Sequence, residues 1–125
     1  MKVYNIQDMV GGWYIGDFEP SILRTRDFEV GYKIHPAGEE WDVHMHAVAT
    51  EYNLLLRGVM KIQDTVLSAG NLFVIEAGEW ADPEFLEDCE VITVKVPSVP
   101  GDKYTKETWD SEEVDEETLE ILGRY

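Results

Sequence analysis

The chain has 125 residues, of which 44% are hydrophobic, and this is enough for one domain with a substantial core. Its formal net charge of −16 disfavours binding to nucleic acid or to an anionic membrane surface, because both carry negative charge. A single cysteine, Cys89, excludes an internal disulfide. Because residues 1–10 lack an apolar leader and no segment has transmembrane length, we expect a cytoplasmic protein.

The first elements of the chain are an aromatic arm and an alternating strand. Residues 11–18 are rich in glycine and aromatic residues but lack the strand-then-helix context of a phosphate loop, so we expect an edge strand or an arm. Residues 28–34 alternate between apolar and polar side chains, which predicts a half-buried strand. His35 precedes Pro36 in the turn that follows, and we expect it to be a surface histidine.

The middle of the chain predicts further short strands, and its end is acidic. The strands are expected over residues 43–47, 52–57, 59–63, 72–75 and 91–96. Their close spacing favours an all-β barrel or sandwich over a parallel sheet with crossover helices. We therefore assign residues 1–106 to a β-domain and residues 107–125 to an acidic tail. In that tail Ser111 can cap a short helix that runs to Leu122, and a frayed tail is the alternative.

Two histidines and a glutamate form a candidate metal site. Residues two apart on a strand share a face, so His44 and His46 can converge on one point. Glu51 follows at an odd separation, which requires a turn or bulge within residues 47–50, although that segment lacks the usual turn residues. Two imidazoles and a carboxylate suit divalent iron, manganese, nickel, cobalt or zinc, and three ligands leave coordination positions open. The alternative is a pair of hydrogen-bonded interior histidines with Glu51 as an ion-pair partner.

These residues also carry a resemblance to a known family. The run of Gly38, His44, His46, Glu51 and Gly58 resembles the first conserved motif of the cupins at every defining position. The resemblance implies an antiparallel jelly-roll β-barrel of the cupin type, with a divalent transition metal held inside it. It also implies a homodimer, because cupins usually pair through the edges of their barrels.

The second cupin motif is matched in part. Gly70 and Gly78 stand at the expected positions, but Glu76 replaces a proline and Ala81 replaces the fourth histidine ligand. The resemblance therefore carries over three metal ligands. Asp82, one residue further along, is a candidate fourth ligand.

The remaining candidates concern catalysis and the substrate pocket. Glu76 and Asp82 are candidate catalytic carboxylates near the expected mouth of the barrel, where a desolvated carboxylate could transfer protons, and the alternative is that they are solvated loop charges. Trp41 and Trp80, together with Trp13, are candidates to line the pocket and stack on a sugar ring, or else belong to the core.

The sequence predicts a metal-binding cupin that acts on a small polar metabolite. Residues 97–104 and the aromatic arm are similar to segments of small stand-alone cupins linked to sugar and sugar-nucleotide metabolism, although the prolines there can simply close the last strand. This similarity implies an isomerase or epimerase of a sugar-like substrate, with a dioxygenase as the other catalytic option. The non-enzymatic alternatives are a ligand-binding or sensory module and a scaffold that acts through the acidic tail.

Overall fold

The computed structural model describes residues 1–110, and the helix predicted from Ser111 to Leu122 lies outside them. The described strands are β1 (Trp13–Ile15), β2 (Glu29–His35), β3 (His44–Met45), β4 (Thr50–Arg57), β5 (Val59–Ile62), β6 (Thr65–Ser68), β7 (Leu72–Ile75), β8 (Glu84–Phe85), β9 (Cys89–Val96) and β10 (Tyr104–Thr105). Two 3-10 turns precede them over Ile6–Asp8 and Val10–Gly12, and a short helix, α1, covers Lys106–Asp110. No helix within residues 1–110 is long and apolar enough to cross a membrane.

The strands pair in three antiparallel sheets, and the predicted all-β class is confirmed. The largest sheet has the order β1-β2-β9-β4-β7, a second has the order β6-β5-β8, and β3 pairs with β10. Strands that are distant in sequence lie side by side, as in β2-β9-β4, which is the crossover pattern of a jelly roll. The main apolar core is formed by Leu55, Met60, Ile62, Ile75, Ala81, Phe85, Cys89 and Val91.

The strands predicted between residues 28 and 96 are present, with ends shifted by one or two residues. The predicted edge strand in residues 11–18 is also present as β1, which pairs with β2 at the edge of the large sheet. The sequence did not predict β6, β8 or β10. Two of these, β8 and β10, have two residues each, which is too short for an alternation to be recognised.

The buried side of β2 is the polar half of its alternation. Glu29 and Gly31 are buried, whereas Ile34 is 64% exposed. On the neighbouring strands, Asn53 of β4 and Thr93 of β9 are buried on the same side as the apolar Leu55 and Val91. Asn53 and Thr93 satisfy each other, since the Thr93 hydroxyl donates to Asn53 Oδ1 over 2.8 Å. The alternation therefore predicts the strand but not which face is buried.

The outer side of the same sheet is apolar. Its cross-strand register places two rows of side chains over β2, β9, β4 and β7, formed by Val30, Val94, Tyr52 and Val74 and by Tyr32, Ile92, Leu54 and Leu72. Neither row contains a charged residue, and Leu72 is 78% exposed. We call these eight residues the apolar outer face.

Candidate functional site

A cavity of about 190 Å³ opens inside the barrel. One part of its wall is apolar and includes Met60, Ile62, Phe73, Ile75, Phe85 and Val91. The other part is polar and aromatic, and it includes Trp13, His35, Trp41, His44, His46 and Glu51. Such a combination, an apolar wall with a few convergent polar groups, is typical of a small-molecule site.

The structure brings His46 and Glu51 into contact. Nε2 of His46 lies 3.1 Å from Oε2 of Glu51, and both side chains are largely buried. Nδ1 of His46 is hydrogen-bonded to the carbonyl oxygen of Asp102, and because a carbonyl can only accept, Nδ1 carries the proton. With a proton on Nε2 as well, the contact with Glu51 is a hydrogen bond within an ion pair, whereas without that proton the Nε2 lone pair and the carboxylate could share a metal ion.

His44 lies on the same cavity wall, with its ring centroid 5.7 Å from that of His46. Its Nδ1 is 3.0 Å from the carbonyl oxygen of Asp42, so this ring also keeps Nε2 as its free acceptor. Burial, assisted by the positive charges of Lys103 and His46, lowers the pKa of His44 below its ordinary value. His44 is therefore neutral at pH 7, which is the form that binds metals.

The turn predicted within residues 47–50 is present, and its cause lies far along the chain. The buried carboxylate of Asp102 accepts hydrogen bonds from the backbone N–H groups of Ala47 over 2.8 Å, Val48 over 3.1 Å and Ala49 over 2.9 Å. One side chain thus supplies the acceptors that local turn residues would otherwise provide. The bend resets the alternation, so that Glu51 faces the cavity together with His46.

Burial alone would raise the pKa of Glu51, but a hydrogen bond and charge from His46, followed by the charge of Lys95, hold this pKa below its ordinary value. Glu51 is therefore ionised at neutral pH and can act as an anionic ligand.

The expected fourth ligand is absent from the polar wall. Ala81 is buried and pairs with His44 through the backbone, with N–H···O distances of 2.9 and 2.7 Å. Asp82 is exposed in the next position, and its Oδ1 accepts from the backbone N–H of Gln63 over 2.8 Å. Glu76 is also exposed, and neither carboxylate lines the cavity.

The predicted pocket tryptophans separate into two groups. Trp13 and Trp41 line the cavity, whereas Trp80 packs in a smaller core beside Met45. Trp13 lies against Gly31, where an added Cβ would come within 2.7 Å of the indole ring. The absence of a side chain at position 31 therefore allows Trp13 to lie over the sheet.

The donor set fits a divalent transition metal by its chemistry. Within residues 1–110 no cluster of three or more His, Cys, Asp or Glu side chains is arranged so that it could hold a metal ion. His44, His46 and Glu51 nevertheless share the cavity, and carbonyl groups orient both imidazoles so that Nε2 is the free atom. A backbone carbonyl behind the imidazole is the usual second contact of a metal-binding histidine. These three residues are the ones that would hold the ion.

His35 is a wall residue of the cavity, so the expectation of a surface histidine is wrong. Its side chain is 13% exposed, and its ring stacks on Phe85 with a centroid distance of 4.2 Å. Nδ1 of His35 lies 2.7 Å from Oε1 of Glu39, which also accepts from the indole N–H of Trp41. Burial would raise the pKa of Glu39, but these hydrogen bonds outweigh it and lower that pKa. The resulting His35–Glu39 pair is a candidate acid or base that sequence reasoning missed.

Many solved structures resemble this fold, and three of them serve as examples. An RmlC-like cupin with a double-stranded β-helix fold from Methanocaldococcus jannaschii has a TM-score of 0.52 and 17% identity, over 59% of this chain and 73% of its own. The chain has the cupin fold. KdgF from Halomonas sp. has a TM-score of 0.56 and 21% identity, over 60% of this chain and 74% of its own. The DMSP lyase DddQ from Ruegeria pomeroyi has a TM-score of 0.63 and 14% identity, over 77% of this chain and 51% of its own.

No protein-family model matches this chain, and no curated protein matches it. The three solved structures are each less than 25% identical to it, so the likeness is one of fold. The fold predicted from the spacing of residues 38–58 is confirmed at that level. The proteins that share this fold include an enzyme, the DMSP lyase.

Proposed function

We propose that this cupin is a metal-dependent enzyme that acts on a small polar metabolite of sugar-like chemistry. The observation that supports it is the contact of His46 Nε2 with Glu51 Oε2 over 3.1 Å, inside a ligand-sized cavity that His44 also lines. An isomerase or epimerase is the reaction class we favour, because the His35–Glu39 pair offers a proton-transfer group on the same wall. A dioxygenase is the second reaction class, since open coordination positions also admit dioxygen.

The residues of the cavity would have separate roles in the reaction. A divalent metal, when bound, would polarise a carbonyl or hydroxyl oxygen of the substrate. His35 would hold or release a proton at Nε2 while Glu39 fixes its orientation. Trp13 and Trp41 would stack on the ring of the substrate, and the apolar wall would exclude water from it.

The metal content of the purified protein tests this proposal. We expect the native chain to bind a divalent transition metal and the His44→Ala, His46→Ala double variant to lose it. His35→Ala is the matched control, because it removes the third histidine of the same cavity and should leave the metal content unchanged. Equal metal content in the native and double-variant proteins would contradict the metal site. Absence of turnover of aldoses, ketoses or dioxygen by the metal-loaded protein would contradict the enzymatic assignment.

A non-catalytic or sensory ligand-binding module is the second candidate function. Ala81 supports it, because it occupies the position of the fourth ligand while keeping the backbone pairing with His44. The backbone pairing of the site is thus intact, although position 81 supplies no metal ligand. Retention of a small ligand without its conversion would favour this module, and metal-dependent conversion of that ligand would exclude it.

We propose that a second copy of the chain covers the apolar outer face. Its two rows contain no charge, so two chains of net charge −16 can meet there without placing like charges in contact. One uncharged patch can also contact itself across a two-fold axis. Light scattering should give a dimer that Leu54→Lys converts to a monomer, whereas Val66→Lys on β6, in another sheet, should not. A native monomer would contradict the dimer.

We also propose a cytoplasmic location. Cys89 is a free and buried thiol, which is compatible with a reducing compartment. Recovery of the protein outside the cytoplasm after cell fractionation would contradict this location.

A further inference from the structure

The cavity is lined by cations although the chain is strongly acidic. Acidic residues outnumber lysine and arginine by 26 to 10 in the whole sequence. The aspartate, glutamate, lysine and arginine residues that line the cavity are Lys33, Lys95, Lys103 and Glu51. The charged residues of the cavity wall therefore carry a net positive charge, whereas the net charge of the chain is negative.

The three lysines are arranged around the two tryptophans of the cavity. The ammonium groups of Lys33 and Lys95 lie 5.1 and 4.7 Å from the ring centroid of Trp13, and that of Lys103 lies 4.0 Å from the ring of Trp41. A tryptophan face attracts an ammonium group but leaves its charge in place. The rings therefore position the three cations without neutralising them.

The lysine cluster is only partly compensated by carboxylates. Lys95 forms an ion pair with Glu29 over 3.4 Å, and Lys33 donates to the carbonyl oxygen of Gly11. Lys103 has no carboxylate within ion-pair distance among residues 1–110. Burial lowers the pKa of both Lys33 and Lys103, and the charge of Lys95 lowers both further. The cluster thus carries an unrelieved repulsion that an anion would remove.

The cluster lies beside the candidate metal ligands. Lys95 of β9 is directly opposite Glu51 of β4 in the sheet register, and both side chains line the cavity. A ligand that reaches His46 and Glu51 therefore passes within reach of Lys95. This adjacency places an anionic group of the ligand near its reacting end.

We infer that Lys33, Lys95 and Lys103 form a recognition site for an anionic group, a carboxylate or a phosphate, on the sugar-like substrate. The inference rests on the proposed function, because it takes the cavity to be the substrate site. It names the substrate class as an acidic or phosphorylated small metabolite. A neutral sugar would leave Lys33 and Lys103 without a carboxylate or phosphate partner and would bind weakly.

Calorimetry with three matched probes tests the inference. Glucose, glucuronate and glucose 6-phosphate share one ring and differ in a hydroxymethyl, carboxylate or phosphate group. We expect the two anions to bind more tightly than glucose. The anion that binds more tightly shows whether the site prefers a carboxylate or a phosphate. Lys33→Gln and Lys103→Gln should each weaken anion binding about tenfold, the usual size of a hydrogen bond to a charged group. Added salt should also weaken it.

Lys61→Gln is the control for the loss of one positive charge. Lys61 lies on β5, where it faces Asp64 over 3.8 Å, and it does not line the cavity. Anion binding by this variant should equal that of the native protein. The inference is overturned if neither anion binds more tightly than glucose, or if Lys33→Gln and Lys103→Gln bind the anions as well as Lys61→Gln does.

The same titrations separate this inference from the metal proposal. Loss of anion binding in the lysine variants of a protein that contains no metal would support the lysine site and contradict the metal site. If the native protein contains metal and the His44→Ala, His46→Ala double variant does not, but the native protein does not prefer anions, the metal site is supported and the lysine site is contradicted.

Discussion

The two faces of the five-stranded sheet differ in composition, because the inner face mixes polar residues with the apolar core whereas the outer face is apolar. The inner face carries Glu29, Asn53 and Thr93, which are buried, whereas the outer face carries two apolar rows with residues as exposed as Leu72. The polar groups can be buried there because they have partners. An apolar stripe on a barrel strand can thus face outward while polar residues of the same strand line the cavity.

The inner face depends on connected hydrogen bonds and ion pairs. The Ser98 hydroxyl donates to Glu29 over 2.7 Å and accepts from the backbone N–H of Asp17 over 2.9 Å, while Lys95 neutralises the same glutamate. A buried polar group without a partner costs about 1–3 kcal/mol. Changes on the inner face should therefore have larger effects on stability than matched changes on the outer face, and four predictions test this difference.

Asp102→Ala should have the largest effect, because it removes the carboxylate that holds three backbone N–H groups of residues 47–49. We expect a loss of about 4 kcal/mol in the free energy of unfolding, since hydrogen bonds to a buried charge are strong and their donors would be stranded. Asp102→Asn keeps one carbonyl acceptor and should lose about half as much. Urea denaturation measures both. A loss below that of the outer-face variants described next would contradict this role of Asp102.

Leu55→Ala and Leu54→Ala compare adjacent residues of β4 that face opposite sides. Leu55 is fully buried in the core, so its truncation should cost about 3 kcal/mol of unfolding free energy. Leu54 belongs to the apolar outer face, and its truncation should cost about 1 kcal/mol or less in the monomer, because less surface is buried there. Urea denaturation at low protein concentration measures the difference. Equal losses would show that the outer face is packed as tightly as the core.

Glu29→Gln and Glu90→Gln compare two carboxylates at opposite faces. Glu29 is buried beside Lys95, and loss of its charge should cost about 2 kcal/mol, because the ammonium group then lacks its counterion. Glu90 lies 3.8 Å from Arg57 at the more exposed outer side, and the corresponding loss should be about 0.5 kcal/mol. Thermal unfolding of the two variants gives the ranking, and a larger effect of Glu90→Gln would reverse the comparison.

The pH dependence of stability should give the smallest effect. Because the pKa of His44 in the folded chain lies below its ordinary value of 6.5, the unfolded chain binds the proton first as the pH falls. The free energy of unfolding should therefore decrease between about pH 7 and pH 5, by roughly 1 kcal/mol or less from this residue. His44→Gln should flatten the decrease when both proteins are measured with a chelator present. An unchanged pH profile in the variant would contradict a perturbed His44.

The sequence predicted the strands and the bend well but not the chemistry that surrounds them. The motif from Gly38 to Gly58 is local, and its resemblance to the first cupin motif is what implied the fold. Asp102 and the lysine cluster are not local, because their partners are brought together by strand pairing between distant segments. Position 35 shows the same limit, since a histidine at the end of a strand is exposed or enclosed according to what packs against it, here Phe85.

The contact between Trp13 and Gly31 has a consequence for how this barrel could diversify. The indole ring is held over a position that has no side chain, and two ammonium groups lie within 5.1 Å of its centroid. Gly31→Ala would push the ring away and shift its neighbouring cations along with it. The space in the cavity and the placement of two of its cations are therefore coupled through one methyl group at position 31, so that one point mutation would alter both.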